Sequence, residues 1–177
     1  MTFAEAVRTC FRNYVTFSGR ARRPEYWWFV LFIVLGSIVA GILDGVLFGA
    51  AETELRTGPE GVGMSASASG PITTLFSLGT FLPALAAGWR RMHDTGRSGL
   101  YLLYPLIVIA GIGGFLGVFG GFVQTGAGGM PQFTGLFGVV LGLAVIVLIV
   151  SPFLVIWWLT RPTQPGPNEY GPEPKSA

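Results

Sequence analysis

The chain has 177 residues, of which 51% are hydrophobic and 11% charged, against roughly 25% charged in an ordinary soluble domain. Glycine supplies 27 positions with no three-residue period and with long apolar runs around it, which excludes both collagen and a disordered linker. A net charge of +2 dispersed among those runs excludes a nucleic-acid binder, and a membrane protein remains.

The first 25 residues predict a cytoplasmic amphipathic helix followed by an Arg-rich motif. Phe3, Val7, Cys10, Phe11 and Tyr14 recur at helical spacing while Glu5, Arg8 and Arg12 face elsewhere. Thr2 with Glu5 three residues later makes a capping-box pattern at the helix start. Such a helix lies on the leaflet or packs its apolar face against the other helices, and the pattern fits both. Cys10 is the single cysteine, so no internal disulfide or cysteine metal cluster is expected, and its place on the apolar side suits a packed small hydrophobe. The basic start runs into an apolar segment, but its length and the lack of a small-residue cleavage site mark a retained first span rather than a signal peptide.

Four segments provide the roughly 20 apolar residues needed to cross a hydrocarbon core: residues 26–47, 72–89, 100–123 and 136–159. Four strands are too few to close a barrel, so the fold class is all-α: a polytopic membrane protein of four transmembrane helices with an N-terminal amphipathic interfacial helix. Pro83 and Pro105 mark expected kinks. Asp44 is the one ionisable residue within the four spans, close to the outer end of the first. Residues 160–177 form a tail in which Pro162, Pro165, Pro167, Pro172 and Pro174 exclude a helix.

Orientation follows from the basic residues between spans. Arg8, Arg12, Arg20, Arg22, Arg23, Arg90, Arg91, Arg97, Arg161 and Lys175 fall on one side and Arg56 alone on the other, which places both termini in the cytoplasm. Tyr26, Trp27, Trp28, Trp89, Tyr101, Tyr104, Trp157 and Trp158 sit at the same interface as an aromatic belt.

Small residues recur every fourth position at Ser37, Gly41, Gly45 and Gly49, at Gly113, Gly117 and Gly121, and at Gly138 and Gly142. Such faces let helix backbones approach closely, so a tight four-helix bundle is expected, and the same Gly-xxx-Gly faces suit a homo-oligomer.

The densest polar stretch, Arg90 to Gly99, reads as a loop between the second and third spans. His93 and Asp94 are adjacent, no second His exists, and neighbouring residues rarely converge on one metal ion. Nothing shows the geometry a His93 base with a Ser98 or Thr95 nucleophile would need. No catalytic residue, metal or cofactor is therefore assigned, and the protein is expected not to be an enzyme. Arg20, Arg22, Arg23, Arg90, Arg91 and Arg97 are candidates to contact anionic lipid headgroups or a partner. Alternatively they set topology and are locked to Glu25 and Asp94, which with His93 tie the first loop to the second. A small transporter or channel subunit is the competing reading, weakened by the interfacial depth of Asp44.

Three motifs carry a family resemblance. Phe17-Ser18-Gly19-Arg20-Ala21-Arg22-Arg23-Pro24-Glu25-Tyr26-Trp27-Trp28-Phe29, the stretch from Leu82-Pro83 through Arg90 to Gly99, and Gly166-Pro167-Asn168-Glu169-Tyr170-Gly171-Pro172 together resemble the signatures of the DUF805 family of small bacterial inner-membrane proteins. Met92 stands where the family commonly has Leu, Leu100 where it commonly has Trp, and the outer loops are longer and richer in Gly. The resemblance implies a multi-pass inner-membrane protein and supplies no catalytic residues; it also implies that the arginine motifs and the tail act together, with Asn168 and Tyr170 docking against the arginine loops and Glu25, His93 and Asp94 as a polar cap under the bundle.

Overall fold

In a computed structural model of the protein, residues 1–49, 70–119 and 135–174 are described, with the short strand segments 54–58, 61–65, 124–125 and 131–132. The described helices are α1 (Phe3–Arg12), α2 (Arg23–Phe48), α3 (Pro71–Asp94), α4 (Tyr104–Phe119) and α5 (Gly135–Thr160). Four segments are long and apolar enough to cross a membrane: Arg23–Phe48, Pro71–Asp94, Gly99–Val118 and Gly138–Thr160. Outside this all-helical body, β1 (Glu54–Gly58) pairs antiparallel with β2 (Gly61–Ser65), and β3 (Gln124–Thr125) with β4 (Pro131–Gln132). These isolated two-stranded ladders are too small to alter the fold class.

The chain forms two hairpins, α2 against α3 and α4 against α5, which meet where the last turns of α3 and α5 pack together. There Met92, Val155 and Leu159 form a buried cluster with Tyr26, Leu102 and Trp158 around it. Helix α1 is capped as its sequence suggests, Thr2 and Glu5 exchanging backbone and side-chain bonds. Its apolar face is taken up by the first hairpin. Cys10 is buried with Phe29 and Ala87, and Phe11 meets Phe29 and Phe32 edge-on at 5.5 and 5.8 Å.

Pro83 and Pro152 stand in the interiors of α3 and α5, and each leaves the carbonyl four residues back without its helical donor. Both carbonyls are met by hydroxyls. Gly79 O, deprived by Pro83, accepts from the Tyr14 phenol at 2.8 Å; Leu148 O, deprived by Pro152, accepts from Ser151 Oγ at 2.9 Å. Pro105 costs nothing, because it enters the first turn of α4 directly after a 3₁₀ turn over Gly99–Leu103.

Asp44 turns out to be a helix cap. Its carboxylate, buried between the hairpin arms, accepts from Ile72 N at 2.9 Å and Thr73 N at 2.8 Å, satisfying amides at the start of α3. Gly70 is required beside it, since a Cβ there would lie 2.2 Å from the Asp44 carboxyl carbon.

The glycine stripes do not hold these helices together as expected. A Cβ at Gly41, Gly45, Gly113, Gly117 or Gly142 would meet nothing within 4 Å, so these positions face away from the other described residues; Gly121 lies outside the described residues. Close approach uses other glycines, each receiving one large side chain: Gly36 takes Phe76, Gly88 takes Leu102 and Gly99 takes the Trp89 ring. Bulky side chains seated on single glycines thus replace the backbone-to-backbone contact that the four-residue spacing implies.

Candidate functional site

The arginine end gathers the segment before α2, the last turn of α3, the 3₁₀ turn and the tail. The stretch read as a loop is half helix: Arg90–Asp94 complete α3, so their side chains are fixed by helical geometry. The helix stops in a Schellman motif, with Gly96 at φ 73°, Gly96 N donating to His93 O and Arg97 N to Met92 O, both at 3.0 Å.

Asp94 is the hub. It is fully buried, and its Oδ1 accepts from Arg20 Nε at 3.0 Å. Its Oδ2 accepts from Arg91 Nη1 and from Thr163 Oγ1, the latter at 2.7 Å, while its backbone carbonyl accepts from Gln164 N at 2.9 Å. Arg91, equally buried, spends its remaining donors on backbone: Nε to Leu159 O at 3.0 Å, Nη1 to Ala21 O at 3.5 Å, Nη2 to Arg161 O. Arg20 reaches Gly166 O at 2.7 Å and Gln164 O. Around Asp94, charged groups are thereby removed from water with both signs present and several hydrogen bonds compensating them.

A second ion pair lies beneath α1. Arg90 Nη1 contacts Glu25 Oε1 at 2.5 Å, both side chains being more than nine-tenths buried, while Arg90 Nε and Nη2 have no nitrogen or oxygen partner among the described residues. The Cys10 thiol sits against this pair, facing Glu25 O at 3.9 Å. Burial, reinforced by the Glu25 charge, pushes its pKa up to about 12, which makes it an inert thiol at neutral pH.

His93 is held on three sides. Its Nδ1 lies 3.1 Å from Gly19 O, the Tyr170 ring stacks on it with centroids 3.9 Å apart, and Asn168 Nδ2 donates to its carbonyl at 3.0 Å. The tail turn carrying these residues is closed by reciprocal backbone bonds between Asn168 and Gly171. Among the described residues no three His, Cys, Asp or Glu side chains gather at one point.

The six candidate arginines therefore divide. Arg20, Arg90 and Arg91 point inward onto Asp94 and Glu25. Arg22 is half-buried and Arg23 exposed; Arg23 Nε donates to Arg161 O at 2.8 Å. Arg97 lies over the Trp158 ring at 5.5 Å, and Arg161 over Trp157 at 4.8 Å. Glu25, His93, Asp94, Asn168 and Tyr170 all fall within this end of the molecule. Thr163, Gln164 and the accepting carbonyls of Ala21, Leu159 and Arg161 went unmarked in the sequence, because a backbone acceptor leaves no trace in residue type.

The profile of the family described as "Protein of unknown function (DUF805)" matches residues 14–172, from the Tyr14 that serves the Gly79 carbonyl to the turn that carries Tyr170. The chain belongs to the DUF805 family. Two similar proteins of Escherichia coli (strain K12) are inner membrane protein YhaH and inner membrane protein YhaI. Each is 40% identical over 100 residues, which cover 56% of this chain and 71% and 70% of the respective relative. No solved structure matches. With four membrane-crossing segments and such relatives, this DUF805 protein is a multi-pass inner-membrane protein. The DUF805 match takes in all four spans and the whole Asp94 cluster, leaving outside it residues 1–13, which include all of α1, and residues 173–177 of the tail.

Proposed function

We propose that this DUF805 protein is a non-enzymatic inner-membrane component whose arginine end lies in the cytoplasm and engages the headgroups of anionic phospholipids. The one-sided distribution of Lys and Arg supports the orientation, with both termini cytoplasmic. The carrying observation is a surplus of cations. Glu25 and Asp94 are taken up by Arg20, Arg90 and Arg91, and among the described residues Arg22, Arg23, Arg97 and Arg161 have no carboxylate within ion-pair distance. Each such cation at an anionic leaflet contributes about 1 kcal/mol of attraction. The inward set builds the scaffold and the outward set meets the membrane surface. His93 is confined by Gly19 and Tyr170, which supports a structural rather than a catalytic role.

The test is flotation of the purified protein with its four outward arginines changed together to Gln, reconstituted with phosphatidylglycerol or phosphatidylcholine and analysed by native mass spectrometry. Loss of retained phosphatidylglycerol with folding intact supports the proposal, and unchanged retention refutes it. The outward-facing glycines of α2, α4 and α5 support self-association as a further element, which the same mass spectra report as subunit count.

A further inference from the structure

On the outer face of α2 a groove of about 360 Å³ is lined by Arg23, Pro24, Trp27, Trp28 and Leu31. Its walls are two helical ridges, Arg23–Trp27–Leu31 and Pro24–Trp28, each stepping by four residues. The aromatic walls are braced. Trp28 is met edge-on by Phe3 of α1 at 6.0 Å, and Trp27 by Tyr26 at 5.3 Å, so the groove is formed before anything enters it. Arg23 stands at its head, exposed, with Nε anchored on Arg161 O and with no carboxylate in ion-pair distance among the described residues. Glu25, two residues on, is turned to the other side of the helix toward Arg90. The first turn of α2 also lacks a side-chain cap, which leaves positive partial charge at the same level.

We infer that this groove binds one anionic glycerophospholipid, its phosphate on the Arg23 guanidinium and one acyl chain lying between Trp27, Trp28 and Leu31. The inference rests on the anionic-lipid reading above and gives it a place. The charge selects an anion, and the two tryptophans and Leu31 beneath it select an amphiphile, since a free phosphate would leave them unused. A second copy of the chain docked face to face would bring Arg23 against another arginine surface.

The test uses the full chain in detergent after reconstitution with equal phosphatidylglycerol and phosphatidylcholine, counting retained lipids by native mass spectrometry. The expected result is preferential retention of phosphatidylglycerol. Arg23→Gln should lower that retention at least five-fold without changing phosphatidylcholine, Arg23→Lys should keep it, and Leu31→Trp, which fills the groove, should lower both lipids. Thermal unfolding of each variant verifies folding, and the Lys variant separates lost charge from lost structure. Wild-type retention in both Arg23→Gln and Leu31→Trp, with loss in a variant neutralised at Arg22, Arg97 and Arg161, overturns the groove while the broader reading stands. No preference for phosphatidylglycerol in the unmodified protein overturns both.

Discussion

The rings of His93 and Tyr170 lie parallel, 6° apart, with their centroids separated by 3.9 Å. This stack seats the tail on the last turn of α3, beside the Asn168 bond to the His93 carbonyl. An aromatic pair contributes about 0.5–1.5 kcal/mol beyond its buried area. Tyr170→Ala should lower the unfolding midpoint in detergent while Tyr170→Phe keeps it, and deletion of residues 162–177 should cost more than either. An unchanged midpoint in the deletion would show that the tail is not part of the fold.

Asp94 offers the larger effect. Removing its charge leaves Arg91 buried without its carboxylate and Arg20 short of one partner. Breaking a buried pair from one side costs about 3–5 kcal/mol. Asp94→Asn should therefore produce far greater destabilisation than Tyr170→Ala, read by denaturant titration in micelles.

The proline-deprived carbonyls give a matched pair of tests. Tyr14→Phe and Ser151→Ala each remove the hydroxyl that serves Gly79 O or Leu148 O, at an expected cost of about 1 kcal/mol. The two sites lie on different hairpins, so the double variant should lose the sum. A Pro83→Ala background should abolish the Tyr14→Phe effect, since the helical amide then returns to Gly79.

At the opposite end, Asp44→Ala removes the cap of α3. A loss of about 0.5–2 kcal/mol is expected, whereas Asp44→Asn, which retains one acceptor oxygen, should lose less. Comparable losses in the two variants would contradict the capping role.

Cys10 reports whether α1 is docked. With its pKa pushed up to about 12 by burial, it should resist iodoacetamide at pH 8 in the folded protein and react once α1 is released. Because the docked state holds the proton more tightly than the free thiol, docking is favoured fully below pH 9, the ordinary value, and progressively lost toward pH 12. Labelling should rise steeply across that window; rapid labelling at pH 8 would show that α1 is not held.

The spans, the α1 cap and the non-helical tail were legible because each rests on a local signal: hydropathy, the Thr2–Glu5 spacing, and proline density. The end of α3 was not. Hydropathy falls at Trp89, yet the helix continues to Asp94 because Arg90, Arg91 and Asp94 find partners inside the protein. Basic side chains alone likewise did not separate Arg91, wholly internal, from Arg23, exposed, since the acceptors that draw Arg91 inward are mostly main-chain carbonyls. The direction of the glycine faces was hidden for a different reason: spacing identifies a stripe, while the crossing of the hairpins decides what it faces.

Asp94 draws its donors from Arg20, 74 residues earlier, and from Thr163, 69 residues later. During synthesis its carboxylate thus waits, through the making of the third and fourth spans, for the Thr163 hydroxyl. A nascent chain stopped before Thr163 presents the charged cluster without one of the donors to Asp94. The Asp94 cluster therefore joins the segment before the first span to the segment after the fourth, so that it closes only when both hairpins are in place.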